Sequence, residues 1–117
     1  MSFENYQSCI DACNECASEC NHCATACLNE ESVKMMAKCI QLNRYCAEIC
    51  KTAVTFMSSE NNFGEEKFVL QLCKLCADIC DTCGKECDKF EMEHCKKCAE
   101  VCFTCAKECR EMARAMA

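Results

Sequence analysis

Cysteine is the residue type that dominates the chemistry available to this chain. Nineteen of the 117 residues are cysteines, and six of them lie in the stretch CIDACNECASECNHCATAC from Cys9 to Cys27. The steps between these six run four, three, four, three, four. This is the spacing of residues along one face of an α-helix, so the stretch is predicted to be a helix with a face of thiols.

The remaining cysteines keep the same rhythm in three further groups. An internal repeat is visible in CASECNHCATAC, CADICDTCGKEC and CAEVCFTCAKEC, and in degraded form in CAEICKTAVTFM. Four cysteine-faced helices are therefore predicted. The four groups are Cys9, Cys13, Cys16, Cys20, Cys23 and Cys27; Cys39, Cys46 and Cys50; Cys73, Cys76, Cys80, Cys83 and Cys87; and Cys95, Cys98, Cys102, Cys105 and Cys109.

The composition favours helices throughout. Proline is absent, glycine occurs twice, and the charged residues, 27% of the chain, are mostly good helix formers. We place the helices at roughly 3–28, 31–57, 65–88 and 91–115. The boundaries rest on three features: Asn29 with the acidic pair Glu30 and Glu31 as a helix start, the loop from Ser58 to Glu66, and a capping-box pattern of Asp88 with Glu91.

Short connections make successive helices antiparallel. The whole chain, residues 1–117, is therefore predicted to be a single all-α domain, an antiparallel up-down-up-down four-helix bundle. Cysteine occupies the inward positions that leucine and isoleucine fill in an ordinary bundle, so the core should be lined with cysteine. Apolar residues beside the thiols are expected to hold the helices together: Ile10, Ile40, Ile49, Leu72, Leu75, Ile79 and Val101.

The charge of the chain and its N-terminal sequence limit its possible binding partners and its cellular location. The formal net charge is −6, and no basic block or basic-aromatic stripe is present, which argues against nucleic acid and anionic membrane surfaces. The N-terminus carries no export signal and no stretch resembles a membrane span, so we expect a cytosolic protein. A reducing compartment and an odd number of cysteines argue against a disulfide scaffold and favour metal binding.

The choice of metal follows from ligand type and charge. Zinc held by four thiolates carries two net negative charges, so filling this core with zinc would bury a strongly anionic interior. One Cu(I) ion per bridging thiolate gives a neutral cluster instead, and soft thiolates select soft Cu(I). An iron-sulfur electron-transfer protein remains the alternative, although its cysteine run is built on irregular backbone and ends in proline.

The repeated CAxxC and CxxCxxxC units resemble the bacterial copper storage proteins in their cytosolic form. The resemblance covers Cys9 to Cys109, nearly the whole chain. It implies a four-helix bundle, a homo-oligomer that is a tetramer, and a core that holds many Cu(I) ions on cysteine thiolates for storage or detoxification. The second helix departs from this pattern, because Asn43 stands where the rhythm expects a cysteine.

Several residues other than cysteine are candidates for the metal site. Asn43 should face inward, where its amide either contacts copper or, as we favour, makes a hydrogen bond within the core. Copper is expected to enter at the end of the bundle that holds Cys27, Cys87 and Cys95. His94 and Met36 are the leading soft or borderline ligands there, followed by His22 and Met92. No constellation of residues suggests an enzyme.

The opposite end of the bundle is expected to be closed. The inward positions beyond the cysteines there carry larger side chains, which we interpret mainly as an apolar plug: Tyr6, Met57, Leu70, Met112 and Met116. Three aromatic residues, Phe56, Phe63 and Phe68, are expected to join Tyr6 and Leu70 in excluding a hydrated ion from that end.

Overall fold

The computed structural model describes residues 3–59 and 63–116 of the chain. In these two ranges there are four α-helices and a short 3₁₀ helix, and no strand. The elements are α1 (Phe3–Leu28), the 3₁₀ helix Val33–Met36, α2 (Ala37–Met57), α3 (Glu66–Cys87) and α4 (Glu93–Met116). The predicted all-α class is confirmed.

The four helices form a closed ring of neighbours. Helix α1 packs against α2, α2 against α3, α3 against α4, and α4 returns to pack against α1. The molecule measures 50 × 19 × 18 Å, which corresponds to a single bundle whose helices run its full length. This is the predicted antiparallel four-helix bundle, and one continuous interior runs along its axis.

The connection between α1 and α2 differs from the prediction. Asn29 does not begin the second helix, because its side-chain amide donates to the carbonyl of Thr25 and its backbone N–H to that of Ala26, so that it caps the end of α1. The chain then makes a turn and the 3₁₀ helix before α2 begins at Ala37 rather than at residue 31. The first turns of the predicted second helix, from residue 31, are thus replaced by a compact segment across this end of the bundle.

The start of α4 also differs from the prediction, because Asp88 is not an N-cap. Its backbone N–H donates to the carbonyl of Gly84, so it caps the end of α3. Its carboxylate and carbonyl accept hydrogen bonds from Lys96 Nζ at 3.2 and 2.7 Å. The first helical hydrogen bonds of α4 go to the carbonyl of Met92, so the helix begins at Glu93 rather than at residue 91.

The predicted loop from Ser58 to Glu66 does separate α2 from α3. Its bounds agree with the structure, where α2 ends at Met57 and α3 begins at Glu66. Gly64 has a φ of 74°, in the left-handed region that other residues avoid, just before the helix starts. The glycine therefore allows the chain to reverse into α3.

Only some of the apolar residues that were predicted to hold the helices together do so. Ile10 and Val101 are buried, and Ile40, Ile49 and Ile79 are partly buried against the core. Leu75 was expected to join them, but its side chain is 48% exposed because it faces away from the bundle axis. Small residues contribute instead: Ala17, Ala47, Ala77 and Ala99 are each buried next to a cysteine and let the helices approach closely.

Helices α3 and α4 are joined by a close contact and an ion-pair cluster. A Cβ atom on Gly84 would lie 2.7 Å from Cε1 of the Phe103 ring, so only glycine admits this ring against α3. Further along α4, the guanidinium of Arg110 forms ion pairs with the carboxylates of Asp81 and Asp78, with N–O distances of 2.7 Å and 3.5 Å. These contacts fix the register in which the thiols of the two helices face each other.

Candidate metal centre

All nineteen cysteine side chains are completely buried, and all are free thiols. The three-four rhythm of each helix therefore does place its cysteines toward the bundle axis. Within single helices, sulfur atoms four residues apart lie 3.8–4.0 Å from each other, as in Cys23–Cys27 and Cys16–Cys20. Each helix thus carries a ladder of closely spaced sulfurs.

The shortest sulfur-sulfur distances connect different helices. Cys39 of α2 and Cys87 of α3 lie 3.2 Å apart, and Cys46 of α2 lies 3.4 Å from Cys80 of α3 and 3.5 Å from Cys16 of α1. Cys20 of α1 lies 3.6 Å from Cys102 of α4. The four ladders therefore merge into one network of sulfurs along the axis.

Groups of four sulfurs within this network lie close enough to share an ion. In each group the sulfur atoms are all within 4.8 Å of one another, and each group draws on three helices. Three of the five groups named next share sulfurs with one another, as metal clusters with bridging thiolates require. Five such groups are Cys13, Cys76, Cys105 and Cys109; Cys16, Cys20, Cys46 and Cys102; Cys16, Cys46, Cys50 and Cys80; Cys20, Cys83, Cys98 and Cys102; and Cys23, Cys27, Cys39 and Cys95.

Among the residues that the structure describes, Asn43 is the one amide placed inside this network, and it is completely buried. Its Oδ1 accepts hydrogen bonds from the thiols of Cys83, Cys98 and Cys87 at 3.2, 3.3 and 3.4 Å. Its Nδ2 donates toward the sulfur of Cys39 at 3.8 Å. The favoured expectation of a hydrogen-bonding role within the core agrees with this geometry, and the same oxygen also faces three potential ligands of one ion.

His94 borders the thiol network at the end that holds Cys27 and Cys95, which we call the uptake end because copper is predicted to enter there. Its Nδ1 lies 3.5 Å from the sulfur of Cys95 and 3.6 Å from that of Cys23. Its Nε2 lies 3.4 Å from a carboxylate oxygen of Glu30. A carboxylate only accepts hydrogen bonds, so this contact places the proton on Nε2 and leaves the lone pair of Nδ1 facing the sulfurs.

Sequence reasoning missed the role of Glu30, which it assigned to a helix start. No helical periodicity extends over this residue, since it lies in the connection after α1. Only the packing of that connection against the first turn of α4 brings its carboxylate to the histidine. A carboxylate that orients a histidine in this way is a common partner of metal-binding imidazoles.

The other candidates at the uptake end lie in different environments. Met36 is completely buried, and its sulfur accepts a hydrogen bond from Ser32 Oγ at 3.9 Å. Met92 is partly buried against the core. His22 is exposed on the outer side of α1, so the structure does not bring it into the thiol network although it adjoins Cys23 in sequence.

The opposite end of the bundle is filled by larger side chains. Tyr6 and Met57 are completely buried, and Leu70, Met112 and Met116 pack against the same core. The expectation that Phe56, Phe63 and Phe68 help to close this end is wrong. Their side chains are 40%, 88% and 44% exposed, because they line a groove on the outside of the loop between α2 and α3.

Burial keeps the thiols of Cys27 and Cys95 in the neutral form near neutral pH. Removal from water raises the pKa of both Cys27 and Cys95, since it disfavours the thiolate. Without a cation, these two thiols therefore add no buried negative charge. A soft cation that replaced their protons would balance the charge of the two thiolates.

The interior of this four-helix bundle consists of free thiols, with few positions given to ordinary core residues. A bundle of this kind defines a protein that binds soft metal ions in thiolate clusters. The chain matches the family model described as copper storage protein over residues 2–114. It therefore belongs to the copper storage protein family. A search of curated proteins finds no significant match.

Solved structures of copper storage proteins are similar to this chain over almost its full length. Apo copper storage protein 3 from Bacillus subtilis shares 46% identity with a TM-score of 0.82, and the match covers 92% of this chain and 98% of that one. A cytosolic copper storage protein from Streptomyces lividans, with five coppers, shares 33% identity with a TM-score of 0.91, covering 96% and 94%. The iron-sulfur alternative is not favoured by these relatives.

Proposed function

We propose that this chain stores Cu(I) along the axis of its bundle, on the thiolates of all nineteen cysteines. The observation that carries this proposal is the complete burial of every cysteine in one continuous sulfur network. A structure described as Cu(I)-bound exists for a relative that shares 46% identity and matches 92% of this chain. Storage or detoxification of copper requires many sites rather than one, and the sulfur network supplies them.

Charge balance sets the expected capacity. A Cu(I) ion bridged by thiolates neutralises about one negative charge, so a neutral core holds about one ion per thiolate, which is about nineteen per chain. The groups of four sulfurs that share members permit such bridging. Zinc at four thiolates per ion would leave an uncompensated buried charge at each site.

Three further residues complete the proposed set of ligands. Asn43 Oδ1 is available to an ion shared with Cys83 and Cys98, from which it now accepts hydrogen bonds. The imidazole of His94 is available to an ion held by Cys23 or Cys95. The thioether of Met36 is proposed as the third, because it is a soft donor buried in the core beside the first turn of α2.

We propose a cytosolic protein without catalytic activity that acts as one storage domain over residues 1–117. No described helix is both long and apolar enough to cross a membrane. A homotetramer is proposed as its assembly, supported by exposed apolar side chains on the outer faces of α2 and α3, namely Tyr45, Phe68 and Leu75.

Anaerobic Cu(I) titration of the reduced protein tests the storage function. Thiolate-to-metal absorption should rise linearly to about nineteen equivalents, and native mass spectrometry should report both that stoichiometry and the tetramer. Circular dichroism should change little, because the buried apolar and alanine contacts hold the bundle without metal. Saturation at four or five ions with tetrahedral sulfur coordination would contradict Cu(I) storage, as would an unfolded apo protein.

A further inference from the structure

One group of four thiols in the middle of the core already has the shape of a tetrahedron. It consists of Cys16 and Cys20 of α1, Cys46 of α2 and Cys102 of α4, all completely buried. The sulfur of Cys16 lies 3.5 Å from that of Cys46, 3.8 Å from that of Cys102 and 4.0 Å from that of Cys20. The sulfur of Cys102 lies 3.6 Å from that of Cys20 and 4.0 Å from that of Cys46. The sixth distance, between Cys20 and Cys46, is within 4.8 Å.

These distances match the coordination of zinc. Zinc held by four thiolates has Zn–S bonds of about 2.3 Å, and a regular tetrahedron with such bonds has sulfur-sulfur edges of about 3.8 Å. Five of the six edges of this group lie between 3.5 and 4.0 Å, on either side of that value. The four sulfurs therefore need little rearrangement to hold Zn²⁺, and a preorganised site of this kind loses little free energy on binding.

We propose that this group, the tetrahedral site, binds one Zn²⁺ ion in the copper-free protein, and that Cu(I) displaces this ion when the core fills. Zinc binding stands on the sulfur geometry alone, whereas the displacement step rests on the proposed storage function. Because the four ligands come from α1, α2 and α4, the zinc ion holds three of the four helices in register before copper arrives.

A single zinc ion avoids the charge problem that a core filled with zinc would meet. With one ion bound, four of the nineteen cysteines are thiolates and the other fifteen keep their protons. The sulfur of Cys80 lies 3.4 Å from that of Cys46, and the sulfur of Cys98 lies 3.7 Å from that of Cys20. A thiolate only accepts, so both neighbours donate their S–H groups to zinc-bound sulfurs and spread the negative charge. Further zinc ions would consume these donors, which keeps the stoichiometry near one.

Both steps are ligand exchanges without a change of oxidation state. Four thiols and one Zn²⁺ ion give a zinc tetrathiolate of charge −2 and release four protons to water. Four Cu(I) ions then replace the zinc on the same four thiolates, which leaves a neutral group and releases Zn²⁺. Copper loading of the zinc form therefore liberates one zinc ion in place of four protons.

Anaerobic titration of the reduced, copper-free protein with Co²⁺ tests the tetrahedral site, because Co²⁺ in a tetrahedron of thiolates absorbs strongly in the visible region. We expect this absorption to reach its maximum at about one equivalent per chain, and one equivalent of Zn²⁺ to abolish it. Zn²⁺ should also raise the Tm of the copper-free protein, since it binds the folded bundle.

Cys102→Ser removes one of the four ligands and should weaken Co²⁺ binding by at least about 100-fold. Cys73→Ser is the matched control, because Cys73 is equally buried but belongs to none of the five groups named above. It should bind Co²⁺ with the parent affinity, although each variant should lose about one Cu(I) ion of capacity. Cys20→Ser repeats the test if Cys102→Ser loses its helix content.

Absence of a tetrahedral Co²⁺ spectrum in the parent would overturn the inference, as would equal Co²⁺ affinities of the ligand variants and the Cys73→Ser control. Saturation of the zinc form with Cu(I) should free about one zinc ion, measured with a chromophoric indicator, and about four fewer protons than saturation of the metal-free form. Zinc retained at copper saturation would refute the displacement step. Failure of the metal-free parent to bind Cu(I) would reject the storage function and displacement together, while the Co²⁺ titration alone decides zinc binding.

Discussion

The amide oxygen of Asn43 lies 3.2 Å from the sulfur of Cys83, at a position where the spacing of α2 would place another cysteine. The same oxygen accepts from Cys87 and Cys98, so one side chain from α2 satisfies thiols of both α3 and α4. The contact is completely buried. Asn43 therefore links three helices within the thiol network.

Asn43→Ala should destabilise the apo protein by about 2 kcal/mol, because it leaves buried thiols without their acceptor and opens a small cavity. Chemical denaturation under reducing, anaerobic conditions measures this loss. Thr52→Ala is the control, since Thr52 is exposed and bonds only to the carbonyl of Glu48 in its own helix. Equal effects of the two substitutions would show that Asn43 contributes no more than a surface residue.

Asn43→Cys should raise the copper capacity by about one ion. It places a thiol at the position where the cysteine pattern of α2 is interrupted, and so adds one thiolate charge. Native mass spectrometry of the saturated variant gives the count directly. A capacity unchanged from the parent would mean that this position cannot accommodate a bridging thiolate.

Gly84→Ala should destabilise the apo bundle by about 1–2 kcal/mol, because the added methyl group would overlap the Phe103 ring. This loss would appear although alanine is the better helix former by about 1 kcal/mol. With Phe103→Ala already present, the same substitution should stabilise instead. A thermal denaturation cycle over the four proteins measures the change of sign, and additive effects would refute the steric explanation.

The stability that the buried thiols of Cys27 and Cys95 give the apo protein should decline in alkaline solution. Burial raises the folded-state pKa of Cys27 and Cys95 above the ordinary value of 9.0. Their contribution is complete below pH 9.0 and declines as the pH rises further, because the unfolded chain then releases thiol protons that the folded chain retains. Urea denaturation at a series of pH values should show this decline for apo protein. Copper-loaded protein, whose thiols carry no protons, should not show it.

Copper loading near neutral pH should release about one proton per ion, since Cu(I) replaces the proton of a thiol. Retention should weaken as the pH falls toward 5, where protons compete for the sulfurs. An indicator dye in weak buffer measures the release, and a chelator competition at several pH values measures retention. An affinity that does not vary with pH would exclude thiolate ligation.

The cysteine periodicity by itself determined that four helices form and that every thiol faces inward. Each prediction needed only the geometry of one helix, in which residues three and four apart share a face. Burial of all nineteen cysteines agrees with that reasoning. The same argument placed Asn43 inside the core, because it lies four residues after Cys39 and three before Cys46.

The helix ends and the surface positions were predicted less well. Asp88 and Asn29 carry the sequence features of helix starts, yet both cap the helix that precedes them. A polar side chain near a boundary can satisfy the free backbone groups of either helix, and the choice depends on how the connection packs. Leu75 likewise faces solvent because its angular position on α3 points away from both neighbours.

The two histidines show what only the tertiary structure decided. Each directly precedes a buried cysteine, His22 before Cys23 and His94 before Cys95. His94 nevertheless contacts three sulfurs of the core, whereas His22 lies on the outside of α1. The difference arises because His94 occupies the first turn of α4, where the connection after α1 brings Glu30 against the ring and holds its other nitrogen toward the thiols. Spacing along one helix cannot encode that contact, since it depends on how a neighbouring segment packs.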